Sequence, residues 1–368
     1  MSWEMVNLED IFNIARGGSP RPIQDFITER NDGINWIMIG DTGENEKYIN
    51  STKKKIKTEG VSKSRRVYKG DFLLTNSMSF GRPYLLNIDG CIHDGWLVLS
   101  PKNESIISKD FFYYLLGSQT IKSKLNAQAA GAIVKNLNTT IVKAIQVPLP
   151  PLPEQQRIAD ILDKAEAINQ KREQVLALCD EFLRATFLDM FGDPVSNPKG
   201  WDIYNWEKVI DIKNGKNQKK VAQENGEYAI FGSGGEMGRA NDFITPAFSV
   251  IIGRKGNIND PILITEPVWN VDTAFGLVPN IEMLLHDYLY LFCVFFDFLR
   301  LNKTVTIPSL RKVDLYEIQI PIPPIELQQK FSEIVEKVNG IKTRIQQAQE
   351  LPLFDALSQQ AFKGELTQ

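Results

Sequence analysis

The chain has 368 residues, of which 43% are hydrophobic and 24% charged, and its formal charge is −3. This composition excludes a disordered polypeptide. No apolar run approaches the ~18 residues of a membrane span and Met1-Ser2-Trp3-Glu4-Met5 has no leader character, so a cytoplasmic protein is expected. Three cysteines, Cys91, Cys179 and Cys293, are far apart and odd in number, so neither a disulfide framework nor a thiolate metal site is indicated.

Self-similarity divides the chain. Trp3, Val6, Leu8, Ile11, Ile14 and Gly17 pair with Trp201, Tyr204, Trp206, Val209, Ile212 and Gly215, each 198 positions on. Leu137, Ile145, Val147, Pro148, Pro150, Pro151, Gln155 and Gln156 pair with Leu310, Ile318, Ile320, Pro321, Pro323, Pro324, Gln328 and Gln329, each 173 positions on. The unit of duplication is a globular segment, a proline corner and a helix. The expected boundaries are residues 1–150 and 194–323 for the globular segments, and 151–193 and 324–368 for the helices.

In the first segment, Asp71-Phe72-Leu73-Leu74-Thr75 and Tyr84-Leu85-Leu86 read as strands, and Lys109 to Leu125 as a covering helix. Pro148, Pro150, Pro151 and Pro153 then form a stiff stop, since proline lacks an N–H and holds its predecessor extended. Beyond it the apolar period becomes heptad, through Ile158, Ile161, Ala165 and Ile168. A helix from Glu154 to about Met190 is expected, roughly 55 Å long at 1.5 Å per residue.

The second segment repeats the pattern with Phe248-Ser249-Val250-Ile251-Ile252 as a strand and His286 to Leu301 as a helix. After its own corner come Phe331, Ile334, Val338, Ile341, Ile345 and Ala348. Two matched stripes suit each other, so an antiparallel coiled-coil pair is expected. Leu351-Pro352-Leu353 should interrupt the second helix. The fold class is α/β: two mixed α/β domains in pseudo-twofold repeat, separated by two long antiparallel coiled-coil helices.

A catalytic centre does not emerge. His93 and His286 are the two histidines, too few for a zincin helix or a histidine-rich metal site. Gly232-Ser233-Gly234-Gly235-Glu236-Met237-Gly238 has Met237 where a dinucleotide fingerprint needs its third glycine, and reads as a turn. Asp193-Pro194-Val195 and Asp260-Pro261-Ile262 do not form a methyltransferase motif. Asp211-Ile212-Lys213 has nuclease spacing without the preceding acidic partner.

Basic residues point instead to phosphate. Lys and Arg outnumber Asp and Glu by 19 to 15 over residues 1–150, so positive charge gathers there despite the negative total. Lys53, Lys54, Lys55 and Lys57 are followed by the candidate contacts Lys63, Arg65, Arg66 and Arg82. The second segment offers Lys216, Lys219, Lys220, Arg239, Arg254 and Lys255, several beside glycines that let a guanidinium approach a base edge. Two such domains on a rigid spacer would read two half-sites one to two turns apart on one duplex, at ~34 Å per turn.

The corner Pro148-Leu149-Pro150-Pro151-Leu152-Pro153-Glu154-Gln155-Gln156-Arg157-Ile158, its copy Pro321-Ile322-Pro323-Pro324-Ile325-Glu326-Leu327-Gln328-Gln329-Lys330-Phe331, and the ending Gln359-Gln360-Ala361-Phe362-Lys363-Gly364-Glu365-Leu366 resemble the specificity subunits of type I restriction-modification systems. Ile230-Phe231-Gly232-Ser233-Gly234-Gly235 with Ile252-Gly253-Arg254-Lys255-Gly256 is similar to a run in that family's target recognition domains, and Gly70-Asp71-Phe72-Leu73-Leu74 with Phe80-Gly81-Arg82 should play the corresponding part in the first segment. The resemblance implies a non-catalytic chain that reads a bipartite, asymmetric site in double-stranded DNA. Its helices would dock two modification subunits; Gln155, Gln156, Ile158, Ile161, Ile168, Gln328, Gln329, Phe331, Ile334 and Ile341 are the candidates for partner contact or helix–helix packing. Those partners would hold S-adenosylmethionine and methylate adenine. Two restriction subunits would supply ATP- and magnesium-dependent cleavage; this chain would bind no cofactor or metal. The alternatives are a nuclease or methyltransferase with its own active site, and a coiled-coil adaptor that does not bind DNA.

Overall fold

The computed structural model describes residues 3–43, 46–76, 81–129, 137–304, 306–350 and 353–366. The chain forms two compact units, Met1–Lys171 with Gln349–Gln368, and Arg172–Ala348.

The main sheet of the first unit orders strands Phe12–Arg16, Trp96–Pro101, Phe72–Thr75, Pro83–Leu86 and Tyr48–Ile49. Phe72, Leu74, Leu97 and Leu99 pack with Phe111, Phe112 and Leu115 of the helix Lys109–Gly117. Leu73, Trp96 and Val98 pack on the other face with Ile37, Val67 and Ile92. Side chains alternate faces along a strand, so Phe72-Leu73-Leu74 is apolar throughout because both faces are covered. The second covering layer is a sheet ordered Ile27–Thr28, Lys54–Ile56, Ile34–Ile37, Gly90–Ile92 and Arg65–Val67.

The second unit repeats this framework with fewer strands. Its main sheet runs Ile210–Asn214, Ala274–Pro279, Ser249–Gly253, Ile262–Ile264, and its smaller sheet Gly235–Ala240, Tyr228–Gly232, Val268–Asn270. The register is also repeated. Met5 faces Pro148 and Ile203 faces Pro321; Ile14 faces Leu99 and Ile212 faces Leu277. Trp36 pairs in parallel with Cys91, as Ile230 does with Trp269. Among the described residues, the strand Tyr48–Ile49 has no counterpart in the second unit, and the strands Ile27–Thr28 and Arg65–Val67 are each reduced there to a single bridge, Ala222 with Ala240 and Thr245 with Val268.

The helix expected over Lys109 to Leu125 is two helices, Lys109–Gly117 and Gln119–Ala129. Ser118 is extended; its hydroxyl donates to the Leu115 carbonyl at 2.7 Å and accepts the Ile121 amide at 3.3 Å, closing one helix and capping the next. Likewise the expected helix His286 to Leu301 stops at Phe295, and a 3-10 turn Phe298–Leu301 follows behind Asp297, whose carboxylate accepts the Leu299 amide.

Each proline corner closes on a buried glutamine. The Gln155 amide accepts the Ser108 N–H at 2.8 Å and donates to the carbonyls of Ile106 and Pro150 at 2.9 and 2.8 Å. Gln328 accepts the Leu285 N–H at 2.8 Å and donates to Met283 and Pro323, both at 2.9 Å. The prolines leave carbonyls without helical donors, and the glutamine amides satisfy them. Both glutamines are fully buried, so their contacts lie within the fold; Gln156 and Gln329 are exposed.

The central helix is unbroken over Leu152–Phe191. In the first unit it buries Ile158, Leu162 and Ala165, with Ile158 and Leu162 packing near Ala361 of the terminal helix Leu353–Lys363. In the second unit Leu183 and Phe187 pack with Phe331, Val335 and Val338 of the helix Ile325–Glu350. Lys342 Nζ lies 2.7 Å from Asp180 Oδ1, and Arg172 donates to the Ala348 carbonyl at 3.2 Å. Contact positions rise along one helix as they fall along the other, so this pair is antiparallel.

Both seams keep expected members, Ile158 and Ala165 on one helix and Phe331 and Val338 on the other, but shift at the positions between and beyond them. Leu162 and Val335 are buried, Ile161 and Ile334 half-buried, while Ile168 is 44% and Ile341 47% exposed. Seven residues fall about 20° short of two full turns, so an apolar stripe this broad admits two phases. Packing against the two cores selects the one through Leu162 and Val335. The interruption expected at Leu351-Pro352 lies outside the described residues.

Candidate nucleic-acid interface

In the second unit several chain ends meet around the turn after Val268–Asn270. Strand Ile210–Asn214 leads into Gly215, where a Cβ would stand 1.8 Å from the Val271 carbonyl oxygen, so only glycine lets the chain pass. The next amide, Lys216 N–H, donates to the Asn270 carbonyl at 3.0 Å, and Trp269 Nε1 donates to the Lys216 carbonyl at 3.0 Å. Asn270 is itself buried, accepting the Thr245 hydroxyl at 2.8 Å. The adjoining turn Gln218–Lys220, capped by Asn217, carries Lys219 and Lys220 outward.

From the neighbouring strand, the Arg254 amide donates to the Thr273 carbonyl at 2.7 Å and the Lys255 amide to the same oxygen at 3.2 Å. The Arg254 guanidinium donates to the Asp272 carbonyl at 3.4 Å and lies 5.6 Å from the Phe275 ring centroid. Gly232 to Gly235 turn the hairpin, as expected for this glycine cluster. Among the described residues no carboxylate pairs with Lys216, Lys219, Lys220, Arg254 or Lys255 within 4.0 Å. Arg239 does not join them. Its guanidinium is held by the carbonyls of Gly226 and Glu227 at 3.1 and 2.8 Å and lies 3.8 Å from Glu236.

In the first unit Gly17 makes the equivalent close passage, with a Cβ position 1.9 Å from the His93 carbonyl oxygen. Arg65 and Arg66 lie on the sheet-edge strand Arg65–Val67, just after Lys63. Arg65 Nε donates to the Arg16 carbonyl at 3.3 Å, Lys63 Nζ lies 4.9 Å from the Phe26 ring centroid, and Arg66 lies 5.9 Å from that of Tyr68. His93, beside this passage, is pushed below its usual pKa by burial, with Asp94 opposing the shift.

Arg82 is elsewhere, beside the Tyr84 ring at 5.3 Å, in a cleft of about 1020 Å³ lined also by Lys47, Tyr113, Lys122 and Asp163. The residue in the position of Arg254 is Asn76, which the sequence reading did not single out. The Asn76 amide donates to the Gly95 carbonyl and its own carbonyl accepts the Leu137 amide, as Arg254 bonds Thr273 and Leu310. Constant spacing was the available signal, since Asn76 and Gly95 precede Arg254 and Thr273 by the same 178 positions. Asn76 is 2% exposed and donates to the Asp94 carbonyl at 2.9 Å, so it shapes the site without facing outward. Phe80 lies outside the described residues.

Asp211 is paired with Lys213 at 2.7 Å. Among the described residues no group of three or more His, Cys, Asp or Glu side chains could hold a metal ion. Nor is any described helix long and apolar enough to cross a membrane.

The family described as type I restriction modification DNA specificity domain matches residues 1–177 and 198–352. The chain is 24% identical to the type I restriction enzyme MjaIX specificity subunit of Methanocaldococcus jannaschii, over 91% of this chain and 86% of that one. It is 22% identical to the EcoBI specificity subunit of Escherichia coli, over 100% of this chain and 86% of that one. Its fold matches the S subunit of a type I restriction-modification system from M. genitalium with a TM-score of 0.58 at 16% identity, covering 98% and 96% of the two chains. A chain from a structural study of complex assembly and conformational transition of the type I R-M system matches with a TM-score of 0.64 at 20% identity, covering 99% and 98%. The duplicated framework and the two family matches identify the chain as a member of the type I restriction-modification DNA specificity family, a specificity subunit and not a catalytic one.

Proposed function

We propose that each unit reads one half of a bipartite, asymmetric site in double-stranded DNA, residues 1–150 and 194–323 doing the reading. The helices of residues 151–193 and 324–368 set the spacing and dock two modification subunits, which bind S-adenosylmethionine and methylate adenine. Where two restriction subunits join it, using ATP and magnesium, the same cytoplasmic assembly cuts DNA that lacks the methylation. On this reading the present chain supplies the address and binds no cofactor.

The observation that carries the reading is one β-framework used twice in the same register, bearing different side chains at matching places. Like frames present alike to a duplex; unlike side chains make the half-sites unequal. Cations without carboxylate partners, Lys216, Lys219, Lys220, Arg254 and Lys255, supply phosphate or base contacts. Docking is supported by Leu178 and Phe182, 59% and 53% exposed on the central helix, since large apolar side chains facing out of a polar helix suit a partner surface.

Mapping adenine methylation in the host genome with and without the gene tests the reading. Loss at one split motif is expected. In a host whose complex assembles, an unchanged methylome overturns it.

A further inference from the structure

Beside the Arg254-Lys255 ledge stands a loop that the sequence reading passed over. Leu310 N–H donates to the Arg254 carbonyl at 2.9 Å, Gly256 N–H to the Pro308 carbonyl at 3.0 Å, and Lys255 bridges Ser309. The loop is tied from within as well, because Asn302 Oδ1 accepts the amides of Thr304 and Ser309 at 3.2 and 3.1 Å. Asp314 anchors both ends through Lys303 at 3.0 Å and Arg311 at 2.6 Å. On this braced loop Ile307 is 60% exposed.

Part of the hydrogen-bonding capacity around Ile307 is already used. Pro308 has no N–H and its carbonyl is taken by Gly256; the Ile307 carbonyl accepts the Thr304 hydroxyl. Next to Lys255 the tip presents the branched aliphatic side chain of Ile307, with the exposed Thr306 before it. Among the bases, thymine alone places an apolar group, its C5-methyl, on the major-groove edge.

We infer that Ile307 is a specificity-determining residue that packs on a thymine C5-methyl in the half-site read by the second unit. This rests on the DNA-reading role proposed above and adds the base class it selects. Lys255 holds phosphate beside it, and the Asn302 and Asp314 bonds hold the tip in place without help from the DNA.

The test uses the chain assembled with its modification subunits and a duplex carrying the motif found by methylation mapping. Each thymine of the second half-site is replaced in turn by deoxyuridine, which lacks only the methyl. One replacement should weaken wild-type binding about fourfold, the worth of one buried methyl-sized group, and Ile307→Ala should bind both duplexes equally. Wild-type indifference to every replacement overturns the inference while leaving the DNA-reading role intact. So does an Ile307→Ala complex that keeps the wild-type penalty. If the wild-type complex shows no preference for the motif over unrelated DNA, the DNA-reading role falls and the inference with it. Because Ile307 is on the surface, Ile307→Val, which keeps an aliphatic contact, should retain most of the methyl sensitivity and so separates contact from misfolding.

Discussion

Gln328 receives the backbone amide of Leu285 at 2.8 Å across the second proline corner, as Gln155 receives that of Ser108 in the first. Each glutamine makes three hydrogen bonds with no exposed surface. Truncation strands two carbonyls and one amide at about 1 kcal/mol or more apiece. Gln328→Ala should therefore destabilise the second unit by about 2–4 kcal/mol, read from chemical unfolding. The Leu285 amide should lose protection in hydrogen exchange, and Gln155→Ala should do the same to Ser108.

Gly215→Ala puts a methyl group 1.8 Å from a backbone oxygen that cannot swing away. A loss of at least about 2 kcal/mol is expected, with methylation lost through failure of the second half-site. Gly17→Ala should act alike on the first. Thermal unfolding and motif-resolved methylation check both.

Arg254 and Lys255 should separate into two behaviours. Arg254→Ala should relax base preference at one half-site only, at about 1–3 kcal/mol. Lys255→Ala should weaken binding to any sequence and lower the salt slope by about one. Titrations of motif and scrambled duplexes at several salt concentrations distinguish them; equal weakening of both half-sites by Arg254→Ala would count against its assignment.

Acid should loosen the Ile307 loop through Asp314. Hydrogen bonds from Arg311 and then Lys303 pull its pKa down to about 2 in the folded chain. A carboxylate depressed on folding stabilises the fold above its unfolded pKa, near 3.9, and that contribution fades as pH falls toward 2. Asp314→Asn should remove this component, so its melting temperature should fall less steeply than the wild type's between pH 5 and pH 2.

Leu178→Asp and Phe182→Asp change exposed positions on the central helix. The folded chain should be nearly unaffected, whereas its complex with modification subunits should weaken at least tenfold, the effect of placing one charge in an apolar contact. Co-purification and circular dichroism measure the two effects separately.

Much of the architecture was legible because it is written in local chemistry. The offsets of 198 and 173 positions located both corners, and the strand registers follow the same offsets. Proline gives no backbone N–H and holds its predecessor extended, so a run of prolines marks a corner, and an apolar run flanked by glycine and polar residues must find cover on both faces. The break at Ser118 was missed because a serine hydroxyl can cap a new helix within a continuous apolar pattern.

The site was less legible for a different reason. Sequence determined which residues carry charge, where the chain must turn, and that the two halves share one plan. Tertiary structure decided which charges meet: Lys216, Arg254 and Lys255 around one turn, with Arg239 bound to its own hairpin and Arg82 in a separate cleft. It also placed buried Asn76 where Arg254 was to have its counterpart, and turned Ile168 and Ile341 out of the helix seams. A charge reads the same in sequence whether it faces solvent or a carbonyl, and a broad apolar stripe fits two helical phases. Only the packing of distant strands and helices resolves either choice.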